Sequence, residues 1–357
     1  MPDKLQVFLL ALLITYILTP VVRKFAQQIE AVDKPGKRKI NLRSVPNLGG
    51  LAIYLGFLLA VLLRVGLDSG FELGAILIGA TLIVLLGVFD DLYQLKPAVK
   101  LMGQIIAALV LVVAGVSIQF VSHPLGEGMI YLGILGPPLT VFWIVGLTNT
   151  VNLIDGLDGL AAGVSLIAAL TLLAVSIQQG QYFTAAIIAA VAGSCLGFLP
   201  YNFHPAKIFM GDSGALLIGY LLAAVSVIGA LKGAAAMTLL VPILALGVPI
   251  FDTAFAIVRR FYYGRPISRA DHGHLHHRLL ALGWSQKQTA LIVYVMSIFL
   301  GATAYLVNHL NSQNGILLVI ITGIFLLYSC WRIGIFSVDL PREGRALHSE
   351  SQQEQNI

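Results

Sequence analysis

An all-α, polytopic membrane helix bundle is the fold class that this sequence predicts, and three observations predict it. Hydrophobic residues fill 58% of the 357 positions and charged residues 11%, against roughly 25% charge in a soluble domain. Mean hydropathy is +0.88. Apolar runs recur at about 20 residues, the length that crosses a ~30 Å hydrocarbon core at ~1.5 Å per helical residue.

Eleven such runs are expected as spans, with cores at 5–22, 48–66, 73–89, 99–118, 137–151, 160–178, 183–200, 214–231, 236–257, 289–307 and 315–331. Positive charge orients them, because Lys and Arg concentrate in cytoplasmic loops. With the N-terminus outside, 19 of the 22 basic residues fall in inner segments, and only Lys4, Arg64 and Lys232 do not. An odd span count, N-out and C-in, is the expected topology.

The first run is read as a retained span and not a secretory leader, since Asp3 stands beside Lys4 before it, and Arg23 and Lys24 follow it in place of a small-residue cleavage site. Cys195 and Cys330 lie inside expected spans, so neither a disulfide framework nor a thiolate metal site is indicated. The pI near 9.2 comes from the inner loops, whose expected partners are anionic headgroups and phosphates, not nucleic acid. No interleaving of Arg with aromatic residues marks a base-stacking surface. No fixed-period repeat divides the chain. A single transmembrane domain, 1–335, is expected, followed by a polar cytosolic tail, 336–357, whose composition predicts disorder.

Carboxylates are rare at membrane depth, and here they cluster at the inner ends of spans: Asp90-Asp91, Asp155 with Asp158, Asp212, and Asp271 before a histidine run. Neighbours on a helix point about 100° apart, so Asp90 and Asp91 are expected in two roles at a helix end. The stretch from Asn149 to Leu160 holds two amides, two acids, Gly156 and Gly159. A helix N-cap explains one acid there but not the group. Phe209-Met210-Gly211-Asp212-Ser213-Gly214 repeats that grammar, and its glycines are expected to admit a ligand.

The last cluster, Asp271-His272-Gly273-His274-Leu275-His276-His277-Arg278, has two readings. His272 and His276 at i,i+4 have zinc spacing. Six basic residues between 258 and 288 favour phosphate instead. Oxygen ligands without thiolate point to a hard cation, and Mg²⁺ takes one or two carboxylates and completes its shell with water and substrate phosphates. Acidic and basic loops on one membrane face therefore imply a Mg²⁺-bridged pyrophosphate.

Taken together, VFDDL, NxxNLIDGLDGLAAG, NFHPAKIFMGDSG and HGHLHHRLLALG, in this order and on this face, resemble the polyprenyl-phosphate N-acetylhexosamine-1-phosphate transferase family over roughly residues 15 to 335. The form His274-x-His276-His277-Arg278 is similar to the GlcNAc-1-phosphate branch. The resemblance implies transfer of GlcNAc-1-phosphate from UDP-GlcNAc to undecaprenyl phosphate, releasing UMP, as the first membrane step of a cell-envelope glycopolymer in the bacterial cytoplasmic membrane. Phospho-MurNAc-pentapeptide transfer is the alternative within the family. An ion- or proton-coupled transporter is the alternative outside it, and predicts acids near mid-span instead of at inner helix ends.

Carried over by motif, the resemblance implies that Asp212 is the main Mg²⁺ ligand with Asn152 as helper, Mn²⁺ substituting. Asp90 and Asp91 match the acids that activate or position the lipid phosphate. Asp155, Gly156, Leu157 and Asp158 resemble the loop that reads the uridine, and Phe209 the residue stacked near uracil. His274, His276, Arg278 and Arg38 match the phosphate and sugar side. Asn41 stands where many relatives have His, so no acid-base role is carried to that position. Dimerisation is implied by the resemblance alone.

Overall fold

The computed structural model describes residues 3–33, 44–66, 70–122, 128–232, 239–262, 264, 273–310 and 312–334. Arg38, Asn41, Asp271, His272 and the expected tail at 336–357 lie outside the described residues. The described helices are α1 (Lys4–Gln28), α2 (Gly49–Arg64), α3 (Phe71–Tyr93), α4 (Pro97–Val113), α5 (Gly136–Ile154), α6 (Leu160–Gln178), α7 (Tyr182–Asn202), α8 (Gly211–Lys232), α9 (Leu240–Ala245), α10 (Gly247–Tyr262), α11 (Leu275–Ala281), α12 (Gln286–Val307) and α13 (Ser312–Ile333). Eight of these are long and apolar enough to cross a membrane, and α2 and α4 are shorter apolar helices. A polytopic membrane helix bundle is the fold.

Glycine seams hold the bundle together. Water drives no association between helices inside lipid, so close van der Waals approach must do it, and small residues permit that approach. On α1 the buried positions Val7, Ala11, Thr15, Thr19, Val22 and Ala26 form one stripe. It lies against α7, where a Cβ on Gly193 would strike the Phe8 carbonyl and one on Gly197 the Leu12 carbonyl. The opposite face of α1 shows Leu5, Leu9, Leu13 and Ile17 to the surroundings, as a lipid-facing helix should.

The same device seats α8 at the centre. Gly87 of α3 abuts Ser213, Gly50 of α2 abuts Gly214, and Gly219 of α8 rests on Thr148 of α5, where an added Cβ would come within 2.7 Å of the Thr148 Cα. Consequently α8 is packed by α2, α3 and α5, which aims its N-terminal residue pair at the ends of its neighbours. Gly211 and Gly214 were expected to admit a ligand. Both instead face protein: Gly211, at φ +70°, looks onto the Asp91 carboxylate, and Gly214 packs against Met210 and Gly50.

One expected span is not a single helix. The run at 236–257 is divided at Leu246 into the six-residue α9 and the amphipathic α10. Pro249 has no N–H to donate to the Ala245 carbonyl four residues back, so the ladder stops there. The short α10 carries a buried polar face formed by Asp252 and Arg259.

A small two-stranded sheet closes the base of the site. β1 (Val32–Asp33) pairs antiparallel with β2 (Val45–Pro46), with Val32 opposite Pro46. The loop before α8 extends it: Phe209 N–H donates to the Pro46 carbonyl at 2.8 Å, and the Gly49 and Gly50 N–H groups donate to the Phe209 and Met210 carbonyls at 2.9 and 2.8 Å. The first amides of α2, orphaned by helix geometry, are thereby satisfied. At the far ends of α4 and α5, β3 (Phe120–Ser122) and β4 (Met129–Tyr131) form a hairpin.

Candidate active site

The C-terminal ends of α3, α5 and α7 and the N-terminal ends of α2, α4, α6 and α8 meet at one end of the bundle, and the acids stand there. Asp212, on the first turn of α8, is the hub. Its Oδ1 accepts from Asn152 Nδ2 at 2.7 Å and its Oδ2 from Lys100 Nζ at 2.8 Å. Lys100 also pairs with Asp90 Oδ2, so one ammonium bridges two carboxylates from helices distant in sequence. Asp90 Oδ1 accepts from Leu95 N–H at 2.7 Å.

Asp91 has a different task from Asp90. Its two oxygens accept the N–H groups of Asp212 at 2.8 Å and Ser213 at 3.1 Å, and Asn47 Nδ2 donates to Oδ1 at 3.0 Å. A carboxylate from α3 thus caps α8, where both the orphan amides and the helix dipole favour negative charge. These two amides stand at a helix start, the kind of place that commonly binds phosphate, and here Asp91 already engages them.

The loop between α5 and α6 divides its residues in the same way. Asp158, buried, accepts from His204 Nδ1 at 2.8 Å and from Ala206 N–H at 3.0 Å. Its carboxylate holds the segment after α7. Gly159, at φ +75°, donates to Asn202 Oδ1 at 3.1 Å and accepts from Tyr294 at 2.6 Å through its carbonyl. Asn149 pairs with Gln104 of α4 at 2.5 Å, outside the acid cluster. Leu157 is buried. Asp155 is partly buried and carries no hydrogen bond from a described residue. Burial pushes its pKa up to about 8, and the negative charges of Asp212, Asp91 and Asp158 reinforce the shift. Phe209 is partly buried and fixed by its backbone to β2 and α2.

The histidine segment lies on the other side of that loop. His276 is buried, and its ring faces Gly156, on which a Cβ would come within 2.6 Å of Nε2. His276 Nδ1 is buried without a hydrogen-bond partner among the described residues. Burial pushes its pKa down to about 3, with His277 and His274 adding to the shift and Asp252 opposing it. His274 stacks on His276, with centroids 5.9 Å apart and planes 6° from parallel. Arg278 is fully buried and its Nε donates to the Gly273 carbonyl at 3.1 Å, so this arginine holds the segment from inside.

The structure therefore brings Asp90, Asp91, Asn152, Asp155 and Asp212 together, and places His276 beside Gly156. Sequence reasoning missed Asn47, Lys100, His204 and Asp252. Only Asp252 carried a signal, as an acid within an expected span. Among the described residues no three of His, Cys, Asp or Glu converge as a metal cage.

Residues 73–230 match the family described as Glycosyl transferase family 4. Over 319 residues, covering 89% of each chain, the protein is 41% identical to a Bacillus subtilis protein named probable undecaprenyl-phosphate N-acetylglucosaminyl 1-phosphate transferase. The chain belongs to glycosyl transferase family 4. Similar proteins include a Mycobacterium leprae protein named decaprenyl-phosphate N-acetylglucosaminephosphotransferase, 40% identical over 347 residues, 88% of this chain and 87% of that one. A Desulforudis audaxviator protein named phospho-N-acetylmuramoyl-pentapeptide-transferase is 31% identical over 330 residues, 81% of this chain and 93% of that one. The family 4 match begins in α3 and ends in α8. It contains every member of the acid cluster and stops short of Asp252 and the histidine segment.

Proposed function

We propose that this protein transfers GlcNAc-1-phosphate from UDP-GlcNAc to undecaprenyl phosphate, giving undecaprenyl-diphosphate-GlcNAc and UMP. The relatives at 40 and 41% identity carry GlcNAc-phosphate transfer in their names. The observation that carries the chemistry is the Asp90–Lys100–Asp212 bridge beside Asn152. A cation lodged between two acids marks the place where a pyrophosphate and its counter-charge fit. The reading includes eleven spans, the ninth broken at Leu246 into α9 and α10, N-out and C-in, with the site facing the cytosol; the bias of Lys and Arg to one face supports it.

Asp212 and Asn152 are the residues that would hold Mg²⁺, with Mn²⁺ substituting. All their donors are oxygens once Asn152 presents its carbonyl oxygen, which suits a hard cation that uses few protein ligands. When bound, the ion neutralises charge on the pyrophosphate. The remaining tasks fall to the chain. Lys100 balances Asp90 and Asp212, Asp91 keeps the start of α8 in place, and Asp155, Gly156 and Phe209 line the side assigned to the uridine. The second pKa of a phosphate monoester is near 6, so the lipid nucleophile is ionised at neutral pH. Direct in-line attack at the sugar-bearing phosphorus then needs alignment by Asp90 more than proton removal.

The test is UMP release by the purified protein in detergent with undecaprenyl phosphate and Mg²⁺, comparing UDP-GlcNAc with UDP-MurNAc-pentapeptide, and repeating with Asp212→Ala. Turnover of UDP-GlcNAc, lost on chelation and in the variant, is expected. Turnover of the pentapeptide substrate alone would reassign the sugar, in line with the relative at 31% identity. No turnover of either by folded protein would remove the transferase reading in favour of a transporter.

A further inference from the structure

Asp252 has no part in the acid cluster, yet it is a buried carboxylate with its own fixed partners. It sits on α10, buried, and both oxygens are used: Oδ2 accepts from His274 Nδ1 and Oδ1 from Leu275 N–H, each at 2.8 Å. On its other side lies an apolar cavity of about 190 Å³ walled by Val248, Phe251, Phe255, Met296 and Leu300. Seven residues further along the same face, the Arg259 guanidinium packs on Gly273, whose carbonyl takes Arg278. The histidine segment is thus moored to α10 at consecutive residues.

A carboxylate can only accept when ionised, so facing one places the His274 proton on Nδ1 and leaves Nε2 as the working nitrogen. The ring held this way stacks on His276, which lies against Gly156 of the loop between α5 and α6. A connected path runs from a buried acid on α10 to the edge of the proposed nucleotide side.

We propose that Asp252 is a positioning residue for the transfer reaction, fixing through His274 the tautomer and plane of the His274–His276 stack that meets the phosphate-bearing substrate. The inference rests on the transferase reading above for its kinetic consequence. Its structural content stands apart from that reading.

Two measurements on the full-length protein in detergent test it. Asp252→Asn preserves shape, and its amide oxygen still accepts from Leu275, but its amide nitrogen donates to His274 Nδ1 and forces the proton to Nε2. The variant is expected to lose at least about tenfold in kcat while KM for UDP-GlcNAc changes by less than about threefold. The double variant with His274→Gln should be no slower than His274→Gln alone. Near-wild-type kcat, or losses that multiply in the double variant, would overturn the proposal. The second measurement is ¹⁵N NMR of histidine-labelled protein, with His274 assigned by its loss in His274→Gln. Nδ1 protonation in the wild type and Nε2 protonation in Asp252→Asn are expected, and an unchanged tautomer would overturn the proposal. Because the spectrum does not depend on turnover, an inactive wild type would sink the transferase reading while the NMR arm still decided the role of Asp252.

Discussion

Gly156 lies against the imidazole of His276, so close that a Cβ on the glycine would stand 2.6 Å from Nε2 and 3.0 Å from Cε1. His276 cannot easily retreat, being buried, stacked on His274 and met at a tilt by His277. Gly156→Ala is therefore expected to cost about 1–3 kcal/mol, the range for forcing an extra methyl into a packed site, and to lower UMP release at least about tenfold. Steady-state kinetics with a thermal melt checks both, and an active, stable alanine variant would remove the contact from the mechanism.

Asp91→Ala removes three acceptor contacts at the start of α8. A loss of about 1–2 kcal/mol is expected, as for a lost helix cap, together with loss of turnover because Asp212 rides on the same turn. Asp91→Asn keeps an acceptor oxygen and should recover part of the stability. Equal melting temperatures for the two variants would contradict the capping role.

Lys100 stands between Asp90 and Asp212. Lys100→Met leaves two acids without their shared cation, and turnover is expected to fall at least about 100-fold, in the range for lost electrostatic stabilisation. If the ammonium competes with Mg²⁺ for Asp212 Oδ2, the variant should also require less Mg²⁺ for half-maximal residual activity. A Mg²⁺ titration of both proteins decides it, with a higher requirement as the contrary result.

His276 titrates with a definite sign. Its folded pKa is near 3 and its unfolded value near 6.5, so between those values the unfolded chain binds the extra proton. Stability therefore falls as pH drops from about 6.5 toward 3, by at most about 1.4 kcal/mol per pH unit from this group. Asp155, raised to about 8, acts oppositely between about 4 and 8, since there the folded state holds the extra proton. The difference between wild type and His276→Gln isolates the histidine: melting curves from pH 7.5 to 5 should fall less steeply in the variant. Parallel slopes would contradict a neutral, buried His276.

The membrane fold was legible in the sequence because lipid imposes a crude rule, length and apolarity, that each segment obeys by itself. The division at Leu246 was not, because the apolar run continues across it and only the missing amide of Pro249 ends the ladder. The acids of the site were legible as outliers against an apolar background. Their separate duties were not, since Asp91 and Asp158 are told from Asp90 and Asp155 by partners as remote as Ser213 and His204. Gly211 and Gly214 show how a right location can accompany a wrong reason. Small residues serve ligand approach and helix packing alike, and one chain read alone does not separate the two. Lys100 looked like ordinary inner-loop charge until α4 placed its side chain over the acids.

The capping of α8 by Asp91 also bears on how a substrate of the proposed kind arrives. A helix start whose amides are already met by an internal anion exerts little pull on a second one. A diphosphate that enters bare would meet the carboxylates of Asp90, Asp91 and Asp212, with Lys100, among the described residues, the cation lodged between them. Under the proposed function, the nucleotide is therefore expected to arrive as its cation complex, with the free anion the poorer ligand even where it outnumbers the complex.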